Sequence, residues 1–394
     1  MIDRLEIHDF KSIRELKLDL GQVNIFLGAN GSGKSNILEA LGVVSAASYG
    51  IVDDESLQRR GVRPGVPRMY KTSNKYFQRA QQIAFSVNGH GCEYRISLLN
   101  PLDSPRPQWD YKTETFKDQH AKILSATGVR SAKNKASGRM PALVHSLDDN
   151  SEEYCFLEEL RNYAVYNPNT PMLRGIEGDP QTRMPVGLSG GGLADGFLNL
   201  MQKARNNDDL QDFIDDLLSM FDWVKSVNSE MNISSILSKS VARPKRVITF
   251  VDRYMKDNSN KLTAYDASEG VLFAIFLMVL CLSEDGPRVF SVDNIDQALN
   301  PRIVRSLVIH LHNWFADLLP DKQILCTAHN PAILDGIDFS DDIIHLFTVD
   351  RDNKGLSRVN RVLITDAMQK KAREKNISMS QLWMEGYLGG VPDV

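Results

Sequence analysis

Apolar and polar residues alternate in RLEIHDF and again in ELKLDL, the two-residue period of strands with one buried face. VNIFLG follows as a short apolar run of the kind a fully buried strand shows. Past the glycines of GANGSGKS the period changes. In NILEALGVVSAAS, Ile37, Leu38, Leu41 and Val44 fall at helical spacing, so the start of the chain predicts strand, turn, strand, glycine loop, helix. Residues 52–76 are rich in Arg, Gly and Pro and read as a loop. QIAFSV and CEYRISLL then flank Asn88, Gly89, His90 and Gly91 as a hairpin.

From 101 to 240 the pattern shifts. A proline-rich stretch (PLDSPRP) leads into a Lys/Arg-biased one, then an acidic helix-like one (SLDDNSEEYCFLEELRNY), a Pro/Gly-rich loop to Gly192, and helical spacing over 193–237. Strand patterns resume in KRVITFVDR and KLTAY, followed by the helix-length apolar GVLFAIFLMVLCL. The buried-strand runs RVFSVD and KQILCTAH are separated by a helix-like segment at 301–319. Strands alternating with helices imply an α/β fold, a sheet covered on both faces. The predicted division is a head split between 1–100 and 241–394, with a mostly helical insertion at 101–240.

The 394 residues exceed a usual single core, in keeping with that division. Hydrophobic residues at 42% and charged residues at 24% are ordinary for a globular chain and exclude a mostly disordered, collagen-like or coiled-coil one. With a net charge of −4, nucleic-acid binding would need a local basic patch. Cys92, Cys155, Cys281 and Cys326 are too scattered for a disulfide framework or a zinc site, which suggests a reducing compartment. MIDRLEIHDFKSI lacks the apolar run of a signal peptide, and the longest apolar stretch, 271–282, is too short to cross a bilayer. These features predict a cytoplasmic protein with no membrane partner.

Gly28 to Ser35 satisfy GxxxxGK[ST] between a predicted strand and a predicted helix, the context that makes this motif a phosphate cradle. Glycines let the backbone wind around an anion without Cβ clashes, so N–H groups and the helix N-terminus face it. Lys34 would reach the β- and γ-phosphates, and the Ser35 hydroxyl would ligate Mg²⁺. Asp293, at the end of the apolar run RVFSVD, would hold the magnesium shell from the carboxyl end of a buried strand.

FKSI, GANGSGKSNILEAL, DASEGVL, VDNIDQALNP and CTAHNP occur in an order that resembles the ATP-binding-cassette (ABC) heads of the RecF, SMC and OLD group of AAA-labelled ATPases. The resemblance covers 1–47 and 262–335 and implies a P-loop NTPase fold with ATP and Mg²⁺ as cofactors. The implied nucleotide-binding set is Gly28, Asn30, Gly31, Ser32, Gly33, Lys34, Ser35 and Asn36 with Lys11. To these it adds Ser268, Glu269 and Gly270, which match the signature loop that contacts the γ-phosphate on an opposite subunit. A homodimer or higher homo-oligomer with ATP sandwiched between heads would follow. Ala298, Leu299 and Asn300 match the D-loop, and His329 matches the switch histidine that senses the γ-phosphate.

The sequence departs from that group at one position. Relatives carry Glu after the magnesium-shell Asp, whereas this chain has Asn294, which can position a water but cannot take its proton. Slow ATP hydrolysis is the expectation, with Asp296 as a substitute base or, alternatively, a contact to the partner subunit.

Arg106, Lys112, Lys117, Lys122, Arg130, Lys133, Lys135 and Arg139, interleaved with Trp109, Tyr111 and Phe116, form a stretch that could bind a phosphate backbone or be a solvated segment. Nucleic acid therefore stays open as a ligand. GGGLADGFLNL is similar to a segment of OLD-type ATPases, and SQLWMEGYLGGVP to the tail of small ATPases of antiphage and toxin-antitoxin-like operons. Too little chain follows His329 for a nuclease domain, and Asp338, Asp341, Asp342, Asp350 and Asp352 read as solvated turn residues. The resulting expectation is an ATP-binding regulator of a separate effector, a nuclease or toxin, in antiphage defence. The alternative is a DNA-binding ATPase of repair or maintenance.

Overall fold

The computed structural model describes residues 1–127, 136–231, 236–237, 245–363 and 377–387. The chain divides into two compact units, one of Met1–Val165, Pro287–Ile295 and Pro320–Val394, the other of Tyr166–Gly286 and Asp296–Leu319.

The first unit holds two sheets. One is antiparallel throughout, in the order Ile13–Asp19, Ile2–Phe10, Gln82–Gly89, Cys92–Leu99, Asp110–Lys117, Ile123–Thr127. Its apolar face alternates at Leu5 and Ile7 and at Tyr94, Ile96 and Leu98, while a register shift near Ile2 and the positive φ of Asp9 break the period and leave Ile2 and Phe10 buried as well. The other sheet runs Ser357–Arg361, Ile344–Arg351, Val23–Leu27, Gln323–Ala328, Val289–Val292, with the two-residue strand Val165–Tyr166 at its edge. Its strands from Ile344 to Val292 are mutually parallel, with Ile324 and Ile344 both opposite Val23. Every residue of Val23–Leu27 and Gln323–Ala328 is buried, which is why both read as mainly apolar runs, with Asn24, Gln323 and Thr327 as buried polar members.

The helix Lys34–Ser48 fills the space between, buried along almost its whole length. Ile37, Leu41 and Val44 join one hydrophobic core with Ile7 and Phe85 of the first sheet and Phe26, Leu325 and Phe347 of the second. Burial of a Leu or Phe side chain of this kind contributes about 1.5–3 kcal/mol. This head is an α/β P-loop fold with a mixed sheet flanked by helices, as the sequence predicts.

The second unit is built around Glu269–Leu282, whose residues from Gly270 to Leu282 are all buried. A helix apolar on every side needs neighbours on every side. Thr170–Leu173, Leu193–Ala204 and Asp208–Ser219 pack against it. A three-stranded antiparallel sheet of Val224–Met231, Arg246–Asp252 and Lys261–Thr263 and the helix Pro301–Asn313 complete the unit.

The structure differs from the sequence reading both inside 101–240 and in 241–394, where Glu269–Leu282 and Pro301–Asn313, expected in the head, belong to the second unit. Asp110–Lys117 and Ile123–Thr127 are strands of the first sheet, the chain passes to the second unit at Val165, and Arg246–Asp252 belongs to the second unit. The reason is pairing. DYKTETFK is a half-buried strand whose alternation is broken, with Glu114 on the buried side beside Tyr111 and Phe116, and this hides it until Cys92–Leu99 is placed beside it.

Candidate functional site

Val23–Leu27 ends in Gly28, and Lys34–Ser48 begins after Gly33, so the loop between them lies at the carboxyl end of a parallel sheet and at a helix N-terminus together. Gly33 has φ 107° and its side chain could not be anything larger. A Cβ there would sit 2.1 Å from Ser357 Oγ and 2.7 Å from Ser12 Oγ. The outer side of the loop is held by donors. Ser357 Oγ donates to the Ser32 carbonyl, and Arg351 Nε donates to the Gly31 carbonyl at 2.7 Å. With these carbonyls held outside, the loop's N–H groups other than that of Ser32, which donates to the Ala29 carbonyl at 3.3 Å, are left for an anion.

Lys34 is buried and its Nζ donates to the carbonyls of Gly28 (2.7 Å) and Ala29 (2.8 Å), with His329 Nδ1 at 3.2 Å. Ser32 is also buried, and its Oγ has no hydrogen-bond partner among the described residues. An unpaired buried hydroxyl costs about 1–3 kcal/mol. A phosphate oxygen in the loop would remove that cost.

Gln323–Ala328, beside Val23–Leu27, and Val289–Val292, on its far side, run parallel and deliver His329 and Asp293 to the same end of the sheet. Asp293 Oδ1 accepts from Ser35 Oγ at 3.0 Å and from Thr327 Oγ1. His329 Nε2 donates to Asn294 Oδ1 at 2.9 Å, while Nδ1 faces the Lys34 ammonium as an acceptor. This pairing is that of a neutral imidazole protonated on Nε2. A hydroxyl and a carboxylate side by side are hard oxygen donors, the chemistry a magnesium ion takes with water and phosphate completing its shell. Ser35 and Asp293 are the residues here that could hold it.

Lys11, at φ 51°, donates through Nζ to the buried carboxylate of Glu39, which Arg63 Nε also reaches. Burial, with the Arg63 guanidinium adding to it, pulls the Lys11 ammonium down to about 7. Asn36 Nδ2 donates to Ser12 Oγ at 2.8 Å and marks the edge of a cavity of about 780 Å³. Lys11, Arg63, Arg68, Lys71, Arg79, Arg351 and Lys354 line it, and no carboxylate does among the described residues. Sequence reasoning missed this cluster. Its signal is plain in hindsight: between Glu55 and Glu93 there are seven Lys or Arg residues and no Asp or Glu.

The basic stretch singled out from the sequence behaves differently. Trp109, Tyr111 and Phe116 are core residues, the last two on the buried side of Asp110–Lys117, rather than a stacking platform. Lys117 pairs with Glu93 and Arg106 with Asp110, while Arg130, Lys133 and Lys135 lie outside the described residues. Asp338, Asp341 and Asp352 accept nearby backbone N–H groups in turns and Asp342 pairs with Arg361, whereas Asp350 is no solvated turn residue but part of the strand Ile344–Arg351, with Oδ1 buried.

In the second unit, Ser268 and Glu269 are exposed where Glu269–Leu282 begins. Ser268 stands at the N-cap position but makes no side-chain cap bond. Gly270 is buried, and a Cβ on it would lie 3.1 Å from the Ala298 carbonyl. Ala298 has φ 60°, and Asn300 Oδ1 caps Pro301–Asn313 by accepting from the Arg302 and Ile303 N–H groups, each at 3.0 Å. Ser268, Glu269, Gly270, Ala298 and Asn300 line one cavity of about 950 Å³. Asp296 also belongs to this unit, where its carbonyl accepts the Leu299 N–H.

The family described as "AAA domain, putative AbiEii toxin, Type IV TA system" matches residues 23–335. An uncharacterized protein of Methanocaldococcus jannaschii is 31% identical over 150 residues, 37% of this chain and 61% of that one. DNA replication and repair protein RecF of Magnetococcus marinus is 40% identical over 110 residues, 26% of this chain and 28% of that one. RecF of Acidothermus cellulolyticus is 40% identical over 175 residues, 39% and 46% of the two chains. The matches thus span less than two thirds of these curated relatives. A crystal structure of an Smc head bound to the C-winged helix domain of ScpA shares the fold at TM-score 0.54 and 15% identity, over 93% of this chain and 99% of that one.

Proposed function

From the premise that this chain belongs to that AAA-domain family, as an ABC-type ATPase head of the RecF/SMC group, we propose that it binds MgATP at the Gly28–Ser35 loop and hydrolyses it slowly. Nucleotide-driven pairing of two heads would then control a separate effector chain. The observation that carries this reading is the convergence of Lys34, Ser35, Asp293 and His329 at one end of the sheet. Lys34 and the loop N–H groups bind the β- and γ-phosphates, with Asn30, Gly31, Ser32 and Asn36 shaping the path and Lys11 beside it. Ser35 and Asp293 hold Mg²⁺, which when bound supplies charge neutralisation at the phosphates.

Slow turnover follows from Asn294. An amide that accepts from His329 can orient a water, yet no proton leaves with it. Asp296 is the substitute base only if pairing brings it to a nucleotide, and its D-loop position suits a contact to the partner better. The exposed Ser268 and Glu269, sharing a cavity with the D-loop residues, are where the nucleotide of a second copy would dock. The effector would be a nuclease or toxin and the setting antiphage defence, a reading consistent with the toxin-antitoxin wording of the family description. The protein would act in the cytoplasm; no described helix is long and apolar enough to cross a membrane.

Native mass spectrometry of wild type and Lys34→Ala, each expressed with its genomic neighbours, with and without ATP and Mg²⁺, tests the proposal. Wild type should retain nucleotide, pair on adding ATP and carry the effector. Equal behaviour of the two proteins would overturn it.

The alternative, a DNA-binding ATPase of repair or maintenance, is supported by the carboxylate-free cavity around Arg68, Arg79 and Lys354 and by the printed name of the RecF relatives. A cationic wall in a chain of net charge −4 is the local patch that a phosphate backbone needs.

A further inference from the structure

Thr327 is wholly buried near the end of Gln323–Ala328, and three successive residues of the neighbouring strand end are fastened to it. Its Oγ1 donates to Asp293 Oδ1 and accepts the Asn294 N–H at 2.8 Å, while its carbonyl accepts the Ile295 N–H at 2.9 Å. Asn294 is thereby held at φ 60°, a left-handed conformation that asparagine tolerates better than most residues. In that conformation its side-chain oxygen meets His329. One hydroxyl therefore uses its proton on the carboxylate and a lone pair on the next residue's amide.

We propose that Thr327 is the positioning residue of this site, setting the metal-binding carboxylate of Asp293 and the Asn294–His329 pair as one unit. The inference rests on the reading that Ser35 and Asp293 hold Mg²⁺. Thr327 touches neither nucleotide nor metal and acts only through the two residues it fastens. A hydroxyl behind a metal-binding carboxylate fixes the direction of its lone pairs, and removing such an outer partner typically costs about 10–100-fold in metal affinity. Valine matches threonine in shape but lacks both halves of the bond. Serine keeps them.

The test is a Mg²⁺ titration of the binding of a fluorescent ATP analogue to wild type, Thr327→Val and Thr327→Ser, with thermal melting to confirm that each is folded and a parallel binding measurement in EDTA. Thr327→Val should need about 10-fold or more Mg²⁺ for half-maximal binding, with its metal-free binding unchanged. Thr327→Ser should follow wild type. A valine variant with the wild-type metal requirement, or a serine variant that needs as much metal as valine should, overturns the proposal. If wild-type binding itself ignores Mg²⁺, the reading of Ser35 and Asp293 falls first and Thr327 falls with it.

Discussion

The hydroxyl of Ser357 donates to the carbonyl of Ser32 across 325 positions of sequence, occupying the space that a side chain on Gly33 would fill. The hairpin Ile344–Arg351 and Ser357–Arg361 thus grips the phosphate loop from its outer side, with Arg351 on the Gly31 carbonyl and Ser12 bonded to Ser357. Gly33→Ala should weaken ATP binding by about 2–4 kcal/mol, because φ 107° strains any residue with a Cβ and the Ser357 hydroxyl must swing off the Ser32 carbonyl to admit it. Ser357→Ala should keep the fold and weaken ATP binding by about 1 kcal/mol, roughly fivefold, the usual worth of one such bond. Equilibrium binding and thermal melting check both.

Asn294 sets the expected rate. Single-turnover hydrolysis by wild type should fall well below the ordinary enzymatic range of about 1 per second and above. Asn294→Glu should raise it about 100-fold or more by supplying a general base, less whatever a left-handed glutamate costs, about 1–2 kcal/mol. Asn294→Ala should lower it further. An ordinary wild-type rate insensitive to position 294 would refute slow turnover.

Lys11 gives a pH dependence with a definite sign. Its ammonium is drawn down to about 7, so it is charged below that pH and neutral above it. A bound triphosphate favours the charged form, so binding takes up a proton and ATP affinity should fall as pH rises from 6 to 9, by at most about tenfold per unit above 7. Lys11→Met should bind more weakly at pH 6 and lose the slope. Calorimetry in buffers of different ionisation enthalpy measures the proton directly.

Ser268 is exposed at a helix start, so Ser268→Arg should leave monomer stability within about 0.5 kcal/mol of wild type. It should nevertheless prevent ATP-dependent pairing, read by light scattering, while ATP binding by the single head persists. Pairing that survives the substitution would remove Ser268 from the interface.

The exposed Arg68 and Arg79 distinguish the two functional readings. If nucleic acid binds, Arg68→Glu with Arg79→Glu should weaken it and reduce the salt slope by about 2. No binding by wild type at low salt would leave the regulatory reading alone.

Much of this architecture was legible in the chain because local physics dictates it. Val23–Leu27 and Gln323–Ala328 are buried on both faces and so are mostly apolar, their few polar members being Asn24, Gln323 and Thr327, and the loop between strand and helix needs glycine where φ is positive. Those constraints act within a few residues and leave a pattern. The strands Asp110–Lys117 and Ile123–Thr127, hidden among charges, leave almost none, since their pairing with distant residues supplies the stability. Trp109, Tyr111 and Phe116 show the same limit from the other side, for aromatic spacing alone does not distinguish a core face from a binding face.

By itself the sequence determined the phosphate loop, the buried strands, the all-apolar helix and the order of the motifs, all properties of short stretches. Only tertiary structure decided that Ser35 meets Asp293, that Thr327 fastens Asp293 to Asn294, and that cations from residues 11 to 354 line one cavity. Such contacts join residues far apart in the chain, and no local period records which distant partner a buried hydroxyl or an exposed charge will find.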